Sequence, residues 1–192
     1  MLKSALPVYL ASKSPRRKKL LKLLINDFKT LELEYDENFI DHEDPAKMVR
    51  KLALEKLSVA EKQIEKGIII TADTIVVING VILGKPTTKK EAMEMLKKLS
   101  GKTHTVYTGF SIFNTKRKIV KTGFEKTQVT FRKLEMSEIR DYVKTGASLD
   151  KAGAYGIQDD IGAVFIKRID GCYYNVVGLP LSKLYQSLKK IL

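Results

Sequence analysis

Residues Ile68 to Ile78 read I-I-I-T-A-D-T-I-V-V-I, the most apolar run in the chain, and carry one carboxylate, Asp73, near the middle. Isoleucine and valine packed this densely suit a pleated surface and predict a strand buried on both faces. An unpaired carboxylate in such a strand would be strongly destabilising. Two arrangements avoid that cost. Either the strand breaks at Thr71 to Thr74 and Asp73 caps a turn, or a rigid strand presents Asp73 as a metal-binding or proton-accepting group. Taken alone, these residues favour the break. In both cases the remaining elements have to pack on this stretch.

The chain has 192 residues, 44% of them hydrophobic, which is enough for one domain or one core drawn out into two lobes. A single domain is expected. No apolar run approaches the roughly 18 residues that span a bilayer, and Met1 to Pro7 lacks the apolar stretch of a signal peptide. No membrane association and a cytoplasmic location are therefore expected. Cys172 is the one cysteine, so no internal disulfide forms; it reads as a small packed hydrophobe. A net charge of +13 favours polyanionic partners. Nucleic acid, an anionic membrane surface and phosphorylated small molecules all qualify on charge; the lysines, scattered along helical stretches with few aromatics between them, read as solvated helix faces rather than a nucleic-acid stripe, and no stable nucleic-acid complex is expected.

Val8 to Ala11 reads as a short strand that runs straight into a helix start, with Ser14 as N-cap and Pro15 as first helical residue. The helix buries Leu20, Leu21 and Leu24, and helical spacing puts Arg17 on that same inward face. Ser12, Ser14, Arg16, Arg17 and the free N–H groups together form an expected anion site, phosphate above all. Phe28 to Leu33 reads as a second strand, followed by an acidic loop, Glu34 to Asp44. Most of its carboxylates read as solvated; the alternative is that one or two of them join Asp73 around a hard cation. Asp44 and Pro45 open a helix to about Lys66 whose apolar stripe is Val49, Leu52, Ala53, Leu57, Ala60 and Ile64. Lys56 falls inside that stripe. It either snorkels from the edge, the commoner arrangement, or reaches a buried negative group.

Asn79-Gly80 predicts a hairpin that folds Val81 to Leu83 back on the central strand and delivers Gly84-Lys85-Pro86 beside it. Thr88 and Glu91 form a capping box for a helix to about Leu99. Thr103 to Asn114 and Ile119 to Leu134 read as an antiparallel pair, and Ser137 to Thr145 as a helix. Gly146 to Gly162 has four glycines and reads as a functional or tightly turned loop. Ala163 to Ile169 is the last predicted strand, and Leu181 to Leu192 a closing helix entered through Gly178-Leu179-Pro180. P-loop, Rossmann and Ser-His-Asp patterns are absent, and the two histidines, His42 and His104, read as structural.

Six stretches, in order, carry a resemblance. They are Leu10-Ala11-Ser12-Lys13-Ser14-Pro15-Arg16-Arg17, Ala72-Asp73-Thr74, Gly84-Lys85-Pro86, Leu99-Ser100-Gly101-Lys102-Thr103-His104, Asp150-Lys151-Ala152-Gly153-Ala154-Tyr155-Gly156-Ile157-Gln158 and Val177-Gly178-Leu179-Pro180. Over about residues 8 to 190 the chain resembles the Maf family of nucleoside triphosphate pyrophosphatases. The resemblance implies a single α/β domain over residues 1–192 with a Maf/ITPase-like fold: a long twisted mixed sheet, flanking helices and two lobes around a central cleft. It also implies a nucleoside triphosphate substrate, a magnesium or manganese cofactor and, often, a homodimer. Carried over by position, Asp73 matches the catalytic carboxylate and metal ligand, and Glu37 an acidic residue of the cleft that shares the metal. Lys56 and Lys85 match site lysines, and Ser12, Arg16 and Arg17 belong to the first motif. Arg16, Thr74 and Gln158 match the branch that prefers dTTP and UTP. Asp159-Asp160-Ile161-Gly162 departs from the family, standing where a more glycine-rich loop is usual.

The implied reaction is metal-dependent hydrolysis of dTTP or UTP to the monophosphate and pyrophosphate. Two alternatives stand beside it: the same hydrolysis on 7-methyl-GTP or another modified nucleotide, and a basic protein that binds nucleic acid or a division partner without turnover.

Overall fold

A computed structural model describes residues 1–34, 44–158 and 161–192. The chain is α/β. Seven strands, β1 (Val8–Ala11), β2 (Lys29–Leu31), β3 (Ile68–Ile78), β4 (Val81–Leu83), β5 (Thr103–Asn114), β6 (Ile119–Phe131) and β7 (Ile166–Asp170), form one mixed sheet. Its hydrogen-bonded order is β2-β1-β3-β5-β6-β7, with β4 paired to β3. The helices are α1 (Pro15–Leu21), α2 (Pro45–Glu61), α3 (Lys89–Leu99), α4 (Met136–Lys144), α5 (Tyr173–Val177) and α6 (Leu181–Ile191). Among the described residues no helix is long and apolar enough to cross a membrane.

The residues group into two compact units, and β3, β5 and β6 each contribute to both. The first unit is Met1–Asp73, Thr108–Glu125 and Gly178–Leu192. In it β1 lies parallel to both neighbours, with Tyr9 opposite Lys29 and Val8 opposite Ile68. Helix α2 buries Met48, Val49, Leu52, Ala53, Leu57 and Ala60, and Ala60 and Leu57 pack with Ala11, Ile69 and Phe113. The helix stops at Glu61, short of the expected Lys66. By Gly67 the backbone has entered the sheet region, donating its N–H to Thr115 Oγ1 at 2.9 Å. Ile64 still joins the core, but from the turn that follows the helix.

The second unit is Thr74–Tyr107 and Lys126–Val177. Its hairpin forms as the Asn-Gly pair predicts: Ile78 faces Val81, and Asn79 and Gly80 take φ of 49° and 77°. Val76 and Ile78 pack with Leu96 and Leu99 of α3, Ile139 and Tyr142 of α4, and Phe131 and Phe165. Several expected boundaries move. Thr88 caps α3 by accepting from Glu91 N–H, but the Glu91 carboxylate turns to the N–H and hydroxyl of Thr87, one residue early. Strand β2 has three residues where Phe28 to Leu33 was expected. Strand β6 ends at Phe131, because beyond it Arg132 N–H turns to Phe165 O and Leu134 N–H to Ser100 Oγ. The expected strand from Ala163 opens instead with a 3-10 turn, Gly162–Phe165, whose Val164 carbonyl accepts Arg132 Nε at 2.7 Å. Helix α5 was not foreseen; Asn175 pins it by donating from Nδ2 to Val106 O and Thr127 Oγ1.

Candidate active site

Strand β3 runs unbroken through Thr71 to Thr74, so the expected break and turn cap do not occur. Asp73 is 1% exposed inside it. Thr71 and Asp73, two residues apart, point to one face of the strand, and that face meets α2. There Thr71 Oγ1 donates to the Ala53 carbonyl at 2.7 Å, and Lys56 Nζ lies 2.8 Å from Asp73 Oδ2. Ala53 and Lys56 are three apart on the helix and share a side. The Lys56 side chain is only 12% exposed, so it reaches the buried carboxylate rather than snorkelling away. The ion pair offsets the cost of a charge inside an apolar strand, because a buried carboxylate is tolerated where a counter-charge meets it.

This pair requires α2 to lie close against the sheet, and Gly109 of β5 permits it. A Cβ at Gly109 would stand 2.0 Å from the Val49 carbonyl oxygen and 2.3 Å from its carbon. Only a residue without a side chain lets the two backbones approach that far. Neither Thr71 nor Gly109 was singled out from the sequence. A glycine inside an otherwise β-branched and aromatic strand was the available signal.

The loop between β1 and α1 lies beside the same stretch, since Leu10 pairs with Ile70 in parallel register. Ser12 Oγ accepts from Ser14 N–H at 3.2 Å and from Arg17 Nη1 at 3.5 Å, and Ser14 Oγ caps the helix through Arg17 N–H. Arg17 turns inward as expected, and its Nε donates to the Gly178 carbonyl at 2.8 Å. That bond accounts for the Val177-Gly178-Leu179-Pro180 stretch as a seat for the arginine. Helix α1 has only seven residues. Its dipole is small, and Arg16 and Arg17 place two positive charges in its first turn.

Thr74, Lys85 and Gln158 belong to the second unit. Thr74 is half-buried on β3, whereas Lys85 and Gln158 are exposed. The turn carrying Lys85 and the loop leading to Gln158 are joined, because Gly153 N–H donates to the Gly84 carbonyl at 3.0 Å. Within that loop Lys151 is buried and its ammonium donates to Asp150 and to the Ala147 carbonyl. His104 is buried as a structural residue would be, hydrogen-bonded to Tyr155; His42 lies outside the described residues. Glu37 also lies outside them.

A divalent metal is implied by the resemblance. Among the described residues no three His, Cys, Asp or Glu side chains cluster as a self-sufficient metal cage. A single buried carboxylate fits magnesium in a different manner, since that ion needs one or two protein carboxylates and takes its other ligands from water and phosphate. Asp73 supplies one such group.

The fold class is one already seen in solved structures. The chain superposes on the Staphylococcus aureus Ham1 protein with a TM-score of 0.54, at 14% identity, over 96% of this chain and 98% of that one. Residues 7–191 match the family described as Maf-like protein, and the chain belongs to that family. It is 49% identical to a protein of Thermoanaerobacter sp. strain X514 and 46% identical to one of Clostridium perfringens strain SM101, each over 95% of both chains. A Syntrophomonas wolfei protein is 46% identical over 94% of this chain and 95% of its own. All three bear the name dTTP/UTP pyrophosphatase.

Proposed function

We propose that this chain hydrolyses dTTP and UTP to the monophosphate and pyrophosphate. The observation that carries the proposal is the Asp73–Lys56 pair, a buried carboxylate on a rigid strand held at 2.8 Å by a lysine of α2, in a chain so similar to proteins of that name. The lysine offsets the cost of burying the charge and fixes the carboxylate's orientation. Asp73 accepts a proton from water as the water oxygen bonds to the α-phosphorus. The bond from that phosphorus to the bridging oxygen breaks, and pyrophosphate leaves with the bridging oxygen. Arg16, Arg17 and Lys85 draw in the triphosphate and offset its charge. Thr74, Arg16 and Gln158 select the base, the glutamine amide both donating and accepting as a uracil or thymine edge requires. Ser12 supports the arginine loop.

Magnesium or manganese would be held by Asp73 and Glu37 with phosphate oxygens, and supplies charge neutralisation on the phosphates when bound. A homodimer belongs to the same proposal and is checked by light scattering.

A panel of canonical and modified nucleoside triphosphates with magnesium, scored for pyrophosphate against orthophosphate, tests the whole proposal. Pyrophosphate from dTTP and UTP is expected, and a chelator should abolish it. Orthophosphate release, strongest turnover of 7-methyl-GTP, or binding without turnover would each replace it.

A further inference from the structure

In the second unit His104 and Tyr155 meet deep in the core. Their Nε2 and phenolic oxygen are 2.8 Å apart, and the residues are 2% and 5% exposed. Phe131 lies edge-on to both rings, its centroid 5.0 Å from His104 and 4.8 Å from Tyr155. Burial holds the imidazole pKa down at about 4 and pushes the tyrosine hydroxyl up, so both are neutral at ordinary pH. No partner meets His104 Nδ1 among the described residues. The pair thus makes one hydrogen bond and leaves one buried polar atom unsatisfied, and two apolar rings of the same shape would be no less stable there. What the bond supplies is direction.

The segment it directs leads to Gln158. Gly153 and Ala154, just before Tyr155, both lie in the left-handed region, with φ of 69° and 64°. For alanine that conformation is strained and persists only where surrounding contacts enforce it. One such contact is the Gly153 N–H bond to the Gly84 carbonyl, which ties the segment to the turn carrying Lys85. Another is close packing, since a Cβ on Gly153 would stand 2.9 Å from Val76. Just past Tyr155, Gly156 is pressed against Gly162, where a Cβ would stand 2.5 Å from the Gly156 carbonyl oxygen.

We propose that His104 and Tyr155 are positioning residues for nucleotide discrimination: their buried hydrogen bond sets the root of the strained turn, and through it the placement of Gln158 relative to Lys85. Neither touches the substrate. The inference rests on the proposed function, in which Gln158 meets the base and Lys85 the phosphates. It makes base selection depend on a bond inside the core.

Tyr155→Phe removes the hydroxyl and keeps the ring. In the full chain with magnesium, kcat and KM are measured for dTTP, UTP and dCTP, together with inhibition by tripolyphosphate, which has the phosphates and no base. The dTTP KM should rise roughly tenfold and the preference for dTTP over dCTP fall by the same factor, with kcat moving less and tripolyphosphate inhibition unchanged. The double variant His104→Phe, Tyr155→Phe leaves no orphaned polar atom; it should melt at or above the wild-type temperature yet stay poorly selective. An unmoved preference in Tyr155→Phe overturns the inference. So does an equal loss on dTTP, dCTP and tripolyphosphate, and so does recovered selectivity in the double variant. A wild-type protein that does not turn over dTTP removes the proposed function and this inference with it, whereas normal wild-type turnover with an unmoved preference removes the inference alone.

Discussion

Asp73→Asn keeps the side chain's shape and removes its charge and its capacity to take a proton. Turnover should fall by about 10²-fold or more, while nucleotide binding, measured by calorimetry, should persist or tighten as a negative charge is lost near the phosphates. A stable variant with near-normal turnover would make the ion pair with Lys56 purely structural. Gln158→Glu should lower kcat/KM for dTTP and UTP more than for other nucleotides, because a carboxylate cannot donate to the base; an equal loss on all would show that Gln158 does not read it. His104 makes a prediction about stability. Its pKa is about 4 in the folded chain against an ordinary value of 6.5, so the unfolded chain binds the proton first as pH falls. Stability from this group is full above about pH 6.5 and declines towards pH 4, by roughly 3 kcal/mol in all. Urea midpoints at about pH 7 and about pH 4.5 should show the decline, and His104→Phe should flatten it.

At the scale of elements, the site depends on how closely α2 lies on β3 and β5. Gly109→Ala would push a methyl group into the Val49 backbone, which cannot rotate aside as a side chain could. The variant should lose about 3 kcal/mol of stability, read from its denaturant midpoint, and its surviving folded fraction should turn over more slowly as Lys56 is drawn off Asp73. Unchanged stability would mean that α2 shifts freely. The contrast with Gly80 is useful: at a hairpin tip with φ of 77° and nothing within 4 Å, it answers a backbone need rather than a steric one.

At the scale of the whole molecule, the net charge of +13 acts through long-range attraction. Raising salt from about 0.05 to about 0.5 M shortens the screening length severalfold, so kcat/KM for a triphosphate should drop several-fold, chiefly through KM. A salt-independent kcat/KM would show that local contacts alone govern capture.

The sequence by itself determined the α/β character, the buried apolar stretch at the centre of the chain, the hairpin at Asn79-Gly80, the Ser14-Pro15 helix start and the inward Arg17. Each of these rests on local rules of burial, turn chemistry or helical spacing, which act over a few residues. Gly146 to Gly162 was legible as a constrained loop for the same reason. Only the tertiary structure decided that β3 continues through Asp73, because the compensating charge sits 17 positions earlier in the chain on another element. It likewise decided where Arg17 points its guanidinium, with Gly178 161 residues away, and turned an expected strand at Ala163 into a 3-10 turn held by Arg132. Helix α5 exists because Asn175 finds partners on β5 and β6. Local preference chooses an element where its own residues satisfy its polar groups; where those groups are satisfied by residues distant in the chain, only packing decides.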